Sequence, residues 1–215
     1  MNAHAFTLAG TTLTALPSGA LWWADQGLLA VSDLHLGRSG RIARLGGVLL
    51  PPYEAEETLA RLDADIGRTG ARVILCLGDS FDDMQAAGDG GGAETWLLRL
   101  MAGRRWIWVA GNHDPAPLIL PGEHLAEARI GPLVFRHAAL RDAVAEVSGH
   151  YHPKARVAGQ SRRCFLYDRR RLILPAYGAY TGGLASSDPA LSSLFDSGAI
   201  AVLTGSAARP LPMPR

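Results

Sequence analysis

The stretch RVILCLGD, residues 72–79, is a continuous apolar run of strand length that stops on Gly78 and Asp79. A run without polar alternation must bury both faces, as strands of a parallel sheet do between other layers. The same form recurs on either side. GLLAVSD (27–33) ends on Ser32 and Asp33, and RRWIWVAGNHD (104–114) ends on Gly111, Asn112, His113 and Asp114. Between the first two runs, Ala55, Leu59, Leu62 and Ile66 recur at helical spacing, with Glu54, Glu56 and Glu57 placed early, where the helix dipole favours negative charge. A second helix is expected from about Glu94 to Ala102. Strand, helix and strand in alternation, with polar residues collected at the strand ends, predict an α/β architecture.

Working outward, FTLAG, TTLTAL and ALWWA read as N-terminal strands joined by tight turns. Residues 38–52 read as an Arg- and Gly-bearing loop with room for a short helix, and QAAGDGGGA (85–93) as a mobile Gly-rich loop. After Pro115 a loop and short helix are expected to Leu125. Strands follow around ARI, LVFRHA and AVAEVSGHYH, then a hairpin over 162–174 turning near Asp168 and Arg169, the loop PAYGAYTGGL, and the strand AIAVLTG. The chain is read as one domain over 1–207, with a Pro-rich, disordered tail at 208–215.

At 215 residues one domain can bury roughly 70% of its unfolded surface without disulfide staples. Cys76 and Cys164 are expected to be reduced, Cys76 as a small core residue within VILCLG. No apolar run reaches membrane-spanning length and the N-terminus lacks a signal-peptide pattern, so a cytoplasmic protein with no membrane partner is expected. With 21 basic against 20 acidic residues, net charge +1, bulk attraction to nucleic acid is weak and any binding must come from a local site.

Five short pieces at strand ends share one vocabulary: Asp33-Leu-His35, Gly78-Asp79-Ser-Phe-Asp82, Gly111-Asn112-His113-Asp114, His137, and Gly149-His150-Tyr-His152. They contain five of the seven histidines. Oxygen donors mixed with imidazoles suit borderline divalent cations such as Mn²⁺, Fe²⁺ or Zn²⁺. In D-x-H and H-x-H, alternate residues of an extended segment would project to one side. The glycines would permit sharp exits from the strands. His4 and His124 are read as surface residues.

The ordered set resembles the motifs of the calcineurin-like metallophosphoesterase superfamily. The flanks SDLHLGR, LLPPYE, GDSF, WIWVAGNHDP, FRHA, GHYHPKARV and PAYGAYTGGL are similar to the bacterial ligase-associated metallophosphoesterases. The resemblance implies a four-layer α-β-β-α sandwich of two mixed β-sheets flanked by helices. It implies two divalent metal ions, Mn²⁺ foremost with Fe²⁺ or Zn²⁺ as alternatives, one on Asp33, His35, Asp79 and His152 and the other on Asp79, Asn112, His137 and His150, with Asp79 bridging. A shared hydroxide would attack phosphorus in line. His113 would be the general acid, oriented by Asp82 or its neighbour Asp83. The implied activity is that of a DNA-repair endonuclease acting on single-stranded or damaged DNA, in functional association with an ATP-dependent DNA ligase, a helicase and an exonuclease. Where nuclease branches often carry His, this chain has Asp82, so an altered preference between diester and monoester is expected. Rival readings are a small-molecule phosphoesterase and a non-catalytic metal-binding partner of a repair ligase or helicase.

Arg38, Arg41 and Arg44 follow the first motif at a spacing of three and could hold substrate phosphates, Arg38 foremost. Tyr177 and Tyr180, in a Gly-bearing loop, are expected to line the substrate cleft. Between 153 and 175, Lys154, Arg156, Arg162, Arg163, Arg169, Arg170 and Arg171 face one acid, Asp168, a pattern that could track a nucleic-acid backbone or simply keep a hairpin soluble. Trp22, Trp23, Trp106 and Trp108 are read as core residues.

Overall fold

The computed structural model describes residues 2–47, 53–82, 92–115 and 119–214. The apolar runs become β4 (Leu28–Val31), β5 (Val73–Leu77) and β6 (Arg105–Val109), which lie side by side and parallel. The sheet is completed by β1 (His4–Leu8), β2 (Thr11–Ala15) and β3 (Leu21–Trp23), antiparallel on one side, and by β7 (Glu123–Leu125), parallel on the other. Where a short helix was expected before Leu125, the chain pairs with β6 as β7 instead. The Gly-rich stretch 85–93 falls almost wholly outside the described residues, as does Asp83.

The second sheet is also mixed. Its strands are β8 (Glu127–Ile130), β9 (Leu133–Arg136), β10 (Glu146–Ser148), β11 (Lys154–Val157), β12 (Gln160–Tyr167), β13 (Arg171–Ile173), β14 (Ile200–Leu203) and β15 (Arg209–Pro212). They run in the order β15-β14-β12-β13-β10-β9-β8, with β11 paired to β12. The hairpin near Asp168 is β12 against β13, in register Leu166↔Ile173. The tail expectation is corrected here: Arg209–Pro212 pair with β14, and Met213 is buried against the sheet. Its prolines can sit on an edge strand, where no donor is needed on the open side.

Alternation within the parallel strands explains the layering. Leu28 and Ala30, Leu75 and Leu77, Ile107 and Val109 pack between the sheets against Phe135, Val147, Phe165 and Leu172. Their neighbours Leu29, Val31, Ile74, Cys76, Trp106 and Trp108 face the other way, onto Leu59, Leu62 and Ile66 of helix α2 (Glu54–Thr69) and Leu97 and Leu100 of α3 (Gly92–Met101). The outer face of the second sheet is covered thinly, by Leu191 of α4 (Pro189–Ser192), Phe195 and Met213. The result is two mixed β-sheets flanked by helices, with α1 (Arg38–Arg44) at the C-terminal end of β4. No helix among the described residues is long and apolar enough to cross a membrane.

Both cysteines are buried and free. Burial pushes their thiols away from ionisation, Cys164 up to about 12, so neither is a ready nucleophile.

Candidate metal centre

The five motifs come together at the C-terminal ends of β4, β5, β6, β9 and β10, though not by the extended alternation read from the sequence. Asp33, His35, Asp79, His150 and His152 all have left-handed backbone, with φ of 53°, 46°, 46°, 70° and 47°. Each costs on the order of 1 kcal/mol for a residue with a side chain. The loops are held there by one another. Asp33 N–H donates to Gly78 C=O, His35 N–H to Asp79 C=O and Leu36 N–H to Ser80 C=O, so the segments after β4 and β5 stay zipped beyond the sheet. Asp114, buried and given no role from the sequence, accepts from the N–H groups of Asp79, Ser80 and Gly111 at 2.9, 2.7 and 3.0 Å. It ties the Gly-Asp and Gly-Asn-His-Asp turns together. Its position in the quoted motif was the only signal for it.

Gly149 is required by close approach. A Cβ there would fall on Ser32 Oγ and Asp33 Oδ2, which are hydrogen-bonded to each other. Gly149→Ala should therefore displace Asp33 and lower divalent-metal affinity at least about tenfold, which isothermal titration with Mn²⁺ would read. Unchanged affinity would mean that the loop relaxes freely.

All seven residues expected to hold metal are brought together. His35 Nε2 and His152 Nε2 lie 3.3 Å apart, with Asp33 Oδ1 3.2 Å from His152 Nε2. On the other side His137 Nε2 lies 2.9 Å from Asn112 Oδ1, 3.1 Å from His150 Nδ1 and 3.5 Å from Asp79 Oδ2. Donors about 2.1 Å from a shared ion stand roughly 3.0–3.4 Å apart at octahedral or tetrahedral angles, so these spacings fit a cation. The protons fit as well. His137 Nδ1 donates to Leu77 C=O at 2.9 Å, and His35 Nδ1 to Asp82 Oδ1 at 2.8 Å, leaving both Nε2 lone pairs for a ligand. Asp33 Oδ1 is buried and accepts no hydrogen bond among the described residues, an orphan that a cation would satisfy.

Asp79 lies between the two groups, its Oδ2 being 3.9 Å from His35 Nε2 as well as 3.5 Å from His137 Nε2. Burial alone would raise its pKa, but hydrogen bonds from His137 and the His113 N–H, with the charges of His137 and His35, hold the carboxyl well below the usual range.

Asp82 requires a correction. Its carboxylate does not hold His113. Oδ1 accepts from His35 Nδ1 and from Arg38 Nη1 at 3.1 Å, and Oδ2 from Arg41 Nη1 at 3.1 Å. Burial opposes its charge, yet His35, Arg41 and Arg38 keep its pKa at about 2. His113 Nδ1 instead donates to the Asp82 backbone carbonyl at 2.8 Å, leaving Nε2 for the cleft. His35, Asp82 and His113 also cluster closely, but with both Asp82 oxygens engaged by two guanidinium groups, this is no third cation site.

The cleft is about 270 Å³ and is lined by His35, Arg38, Arg41, Asp79, Asn112, His113, His150, His152 and Gly182. Arg44 is not among its lining. Tyr177 does not line it either. It is fully buried, its hydroxyl donating to Asp65 Oδ2 at 2.9 Å and its backbone N–H to Ser32 C=O at 2.7 Å, so it anchors the 177–185 loop instead. Tyr180 is exposed, with φ 54°, two residues before Gly182 but outside the lining. Within the basic hairpin Arg171 is wholly buried against Glu146, and Arg163 is largely buried, donating to Ala176 C=O, so neither presents its charge as a surface track. Trp23, Trp106 and Trp108 are buried and Trp22 is half-buried. His4 and His124 are half-buried too, His4 against the Tyr167 hydroxyl and His124 stacked on Trp108, rather than free on the surface.

A comparison with curated proteins finds no match. Among solved structures the chain is similar to the nuclease MPE of Pseudomonas putida, at 24% sequence identity, covering 97% of this chain and 100% of that one with a TM-score of 0.79. At that identity the likeness establishes the shared fold. The family profile described as calcineurin-like phosphoesterase matches residues 28–184, which take in every strand-end motif described above. The chain belongs to the calcineurin-like phosphoesterase family.

Proposed function

We propose that this phosphoesterase is a dinuclear, metal-dependent phosphodiesterase that cuts DNA, with Mn²⁺ as its preferred ion and Fe²⁺ or Zn²⁺ as alternatives. The observation that carries the reading is the position of Asp79 Oδ2 between two donor sets at a cleft whose wall presents Arg38, Arg41 and His113. Asp33, His35, Asp79 and His152 would hold one cation, and Asp79, Asn112, His137 and His150 the other. When bound, such cations supply Lewis-acid polarisation of phosphoryl oxygens and ease deprotonation of water near neutral pH. The chain's own residues do the rest. His113, fixed through Nδ1 on a backbone carbonyl, presents Nε2 to protonate the leaving oxygen. Arg38 and Arg41, on the cleft wall, offer guanidinium groups to the backbone of an anionic strand.

The nuclease name of the Pseudomonas putida protein of like fold supports a nucleic-acid substrate. A role in DNA repair beside an ATP-dependent ligase, a helicase and an exonuclease, in the cytoplasm, rests on the resemblance of the flanking segments alone. The test is Mn²⁺-dependent hydrolysis of circular single-stranded DNA and of a nitrophenyl phosphodiester by metal-stripped, reloaded protein. Activity on both supports the reading. Activity on the small diester but never on DNA would replace it with a small-molecule phosphodiesterase, and inactivity on both would favour a metal-binding partner protein. His113→Ala should slow hydrolysis on the order of 10²- to 10⁴-fold while retaining Mn²⁺ binding. Lost Mn²⁺ binding would make His113 a ligand instead of an acid.

A further inference from the structure

Asp82 gathers three side chains that sequence spacing alone would not connect. Its carboxylate is fully buried and spans a metal-ligand histidine, His35, and two guanidinium groups of α1, Arg38 and Arg41. Both arginines line the cleft, whereas the hydrogen bond of the His113 ring to Asp82 goes to the main-chain carbonyl. The one carboxylate holds both guanidinium groups in a fixed orientation at the rim. Arg38 is about a quarter exposed and spends Nη1 on Asp82, while its Nε is buried and hydrogen-bonds to nothing among the described residues. A planar fork pinned by one nitrogen loses little further freedom when its exposed edge meets an anion.

We propose that Asp82 is a positioning residue that joins Arg38 and Arg41 to the metal-ligand His35, and that Arg38, so held, recognises a phosphate flanking the scissile one. This rests on the phosphodiesterase reading and deepens it. The preferred substrate class becomes a polynucleotide strand over a small diester with a single phosphate. Asp82→Asn keeps an acceptor for His35 Nδ1 but loses the charge that pins the arginines. Asp82→Ala removes both functions.

The test combines steady-state kinetics on an oligonucleotide and on a nitrophenyl phosphodiester with calorimetric Mn²⁺ binding. Asp82→Asn should raise the oligonucleotide KM about tenfold with the nitrophenyl KM little changed. Its effect should be non-additive with that of Arg38→Ala and additive with that of His113→Ala. Asp82→Ala should in addition weaken Mn²⁺ binding about 10- to 100-fold, as loss of a ligand-orienting partner does. Equal falls in kcat on both substrates with KM unchanged would show that Asp82 acts through His113 and overturn the proposal. Unchanged Mn²⁺ affinity in Asp82→Ala would overturn the His35 link. Should an Asp82 variant fail to fold, Arg38→Ala, on a partly exposed side chain, tests the flanking-phosphate claim by the same KM split. A wild-type protein that hydrolyses no diester would defeat the phosphodiesterase reading, whereas the Mn²⁺ titration would still decide whether Asp82 positions His35.

Discussion

Replacing Asp79 with alanine should abolish hydrolysis, by about 10⁴-fold or more, and reduce the metal content of the protein. The expectation follows from where the carboxylate sits. One oxygen lies within 4 Å of both His35 Nε2 and His137 Nε2, and the other accepts the His113 N–H at 2.8 Å. A single truncation therefore removes a donor from each of the two proposed cation positions and an anchor of the turn that carries Asn112 and His113. A loss of about 5.5 kcal/mol of charge stabilisation corresponds to four decades in rate. Asp79→Asn should be nearly as damaging, because it keeps the shape but loses the negative charge between the histidines. Metal analysis after gel filtration, with rates on a nitrophenyl diester, would check this. Retention of two bound ions and a rate within tenfold of wild type would show that the two donor sets do not depend on this carboxylate.

The second large effect concerns stability. Arg171 and Glu146 are both fully buried and pair at 3.5 Å, and they face each other directly in the parallel register of β10 and β13. Arg136 approaches the same carboxylate at 3.5 Å, while Arg171 Nη2 donates to the carbonyls of Arg141 and Ala143. Removing one partner strands a buried charge, at about 3–5 kcal/mol, whereas exchanging both for apolar residues of similar volume is often close to neutral. Arg171→Met should thus lower Tm by roughly 6–20 °C for a chain of this length. Glu146→Leu combined with Arg171→Met should recover most of that. Thermal unfolding followed by circular dichroism decides the matter. A single variant melting with wild type would mean that the pair is solvated or dispensable. Because β10 leads directly into Gly149, His150 and His152, the single variant should also bind Mn²⁺ less tightly.

Much of this centre was legible from residue order. Asp33, His35, Asp79, Asn112, His137, His150 and His152 stand at the ends of apolar runs, and a buried strand can expose polar side chains only where it leaves the sheet. The helix over 54–69 and the strands around 28–31, 73–77 and 105–109 announced themselves by period, because one face or both must meet a core. Other features were not legible, for equally physical reasons. Tyr177 lies in a loop with glycines on both sides of the second tyrosine, which suggested access to a ligand. Only its contact with Asp65, 112 positions away, shows it to be an anchor. Arg171 looked like part of a basic track because its buried partner, Glu146, belongs to a different strand. The prolines at 210 and 212 suggested a loose tail, yet an edge strand accommodates them.

By itself, then, the chain's order of residues determined the α/β layering and which Asp, Asn and His side chains stand at the strand ends, since both follow from local period and from which side chains end each run. Only the tertiary structure decided who holds whom. It assigned the Asp82 carboxylate to His35, Arg38 and Arg41 and its carbonyl to His113, it set Asp33, His35, Asp79, His150 and His152 on left-handed backbone, and it zipped together the segments that follow β4 and β5. A carboxylate 47 residues from one histidine and 31 from another can serve either, and spacing along a chain does not say which loop will fold over it. The choice is made by packing, where close approach of backbones leaves each buried proton a single acceptor within reach.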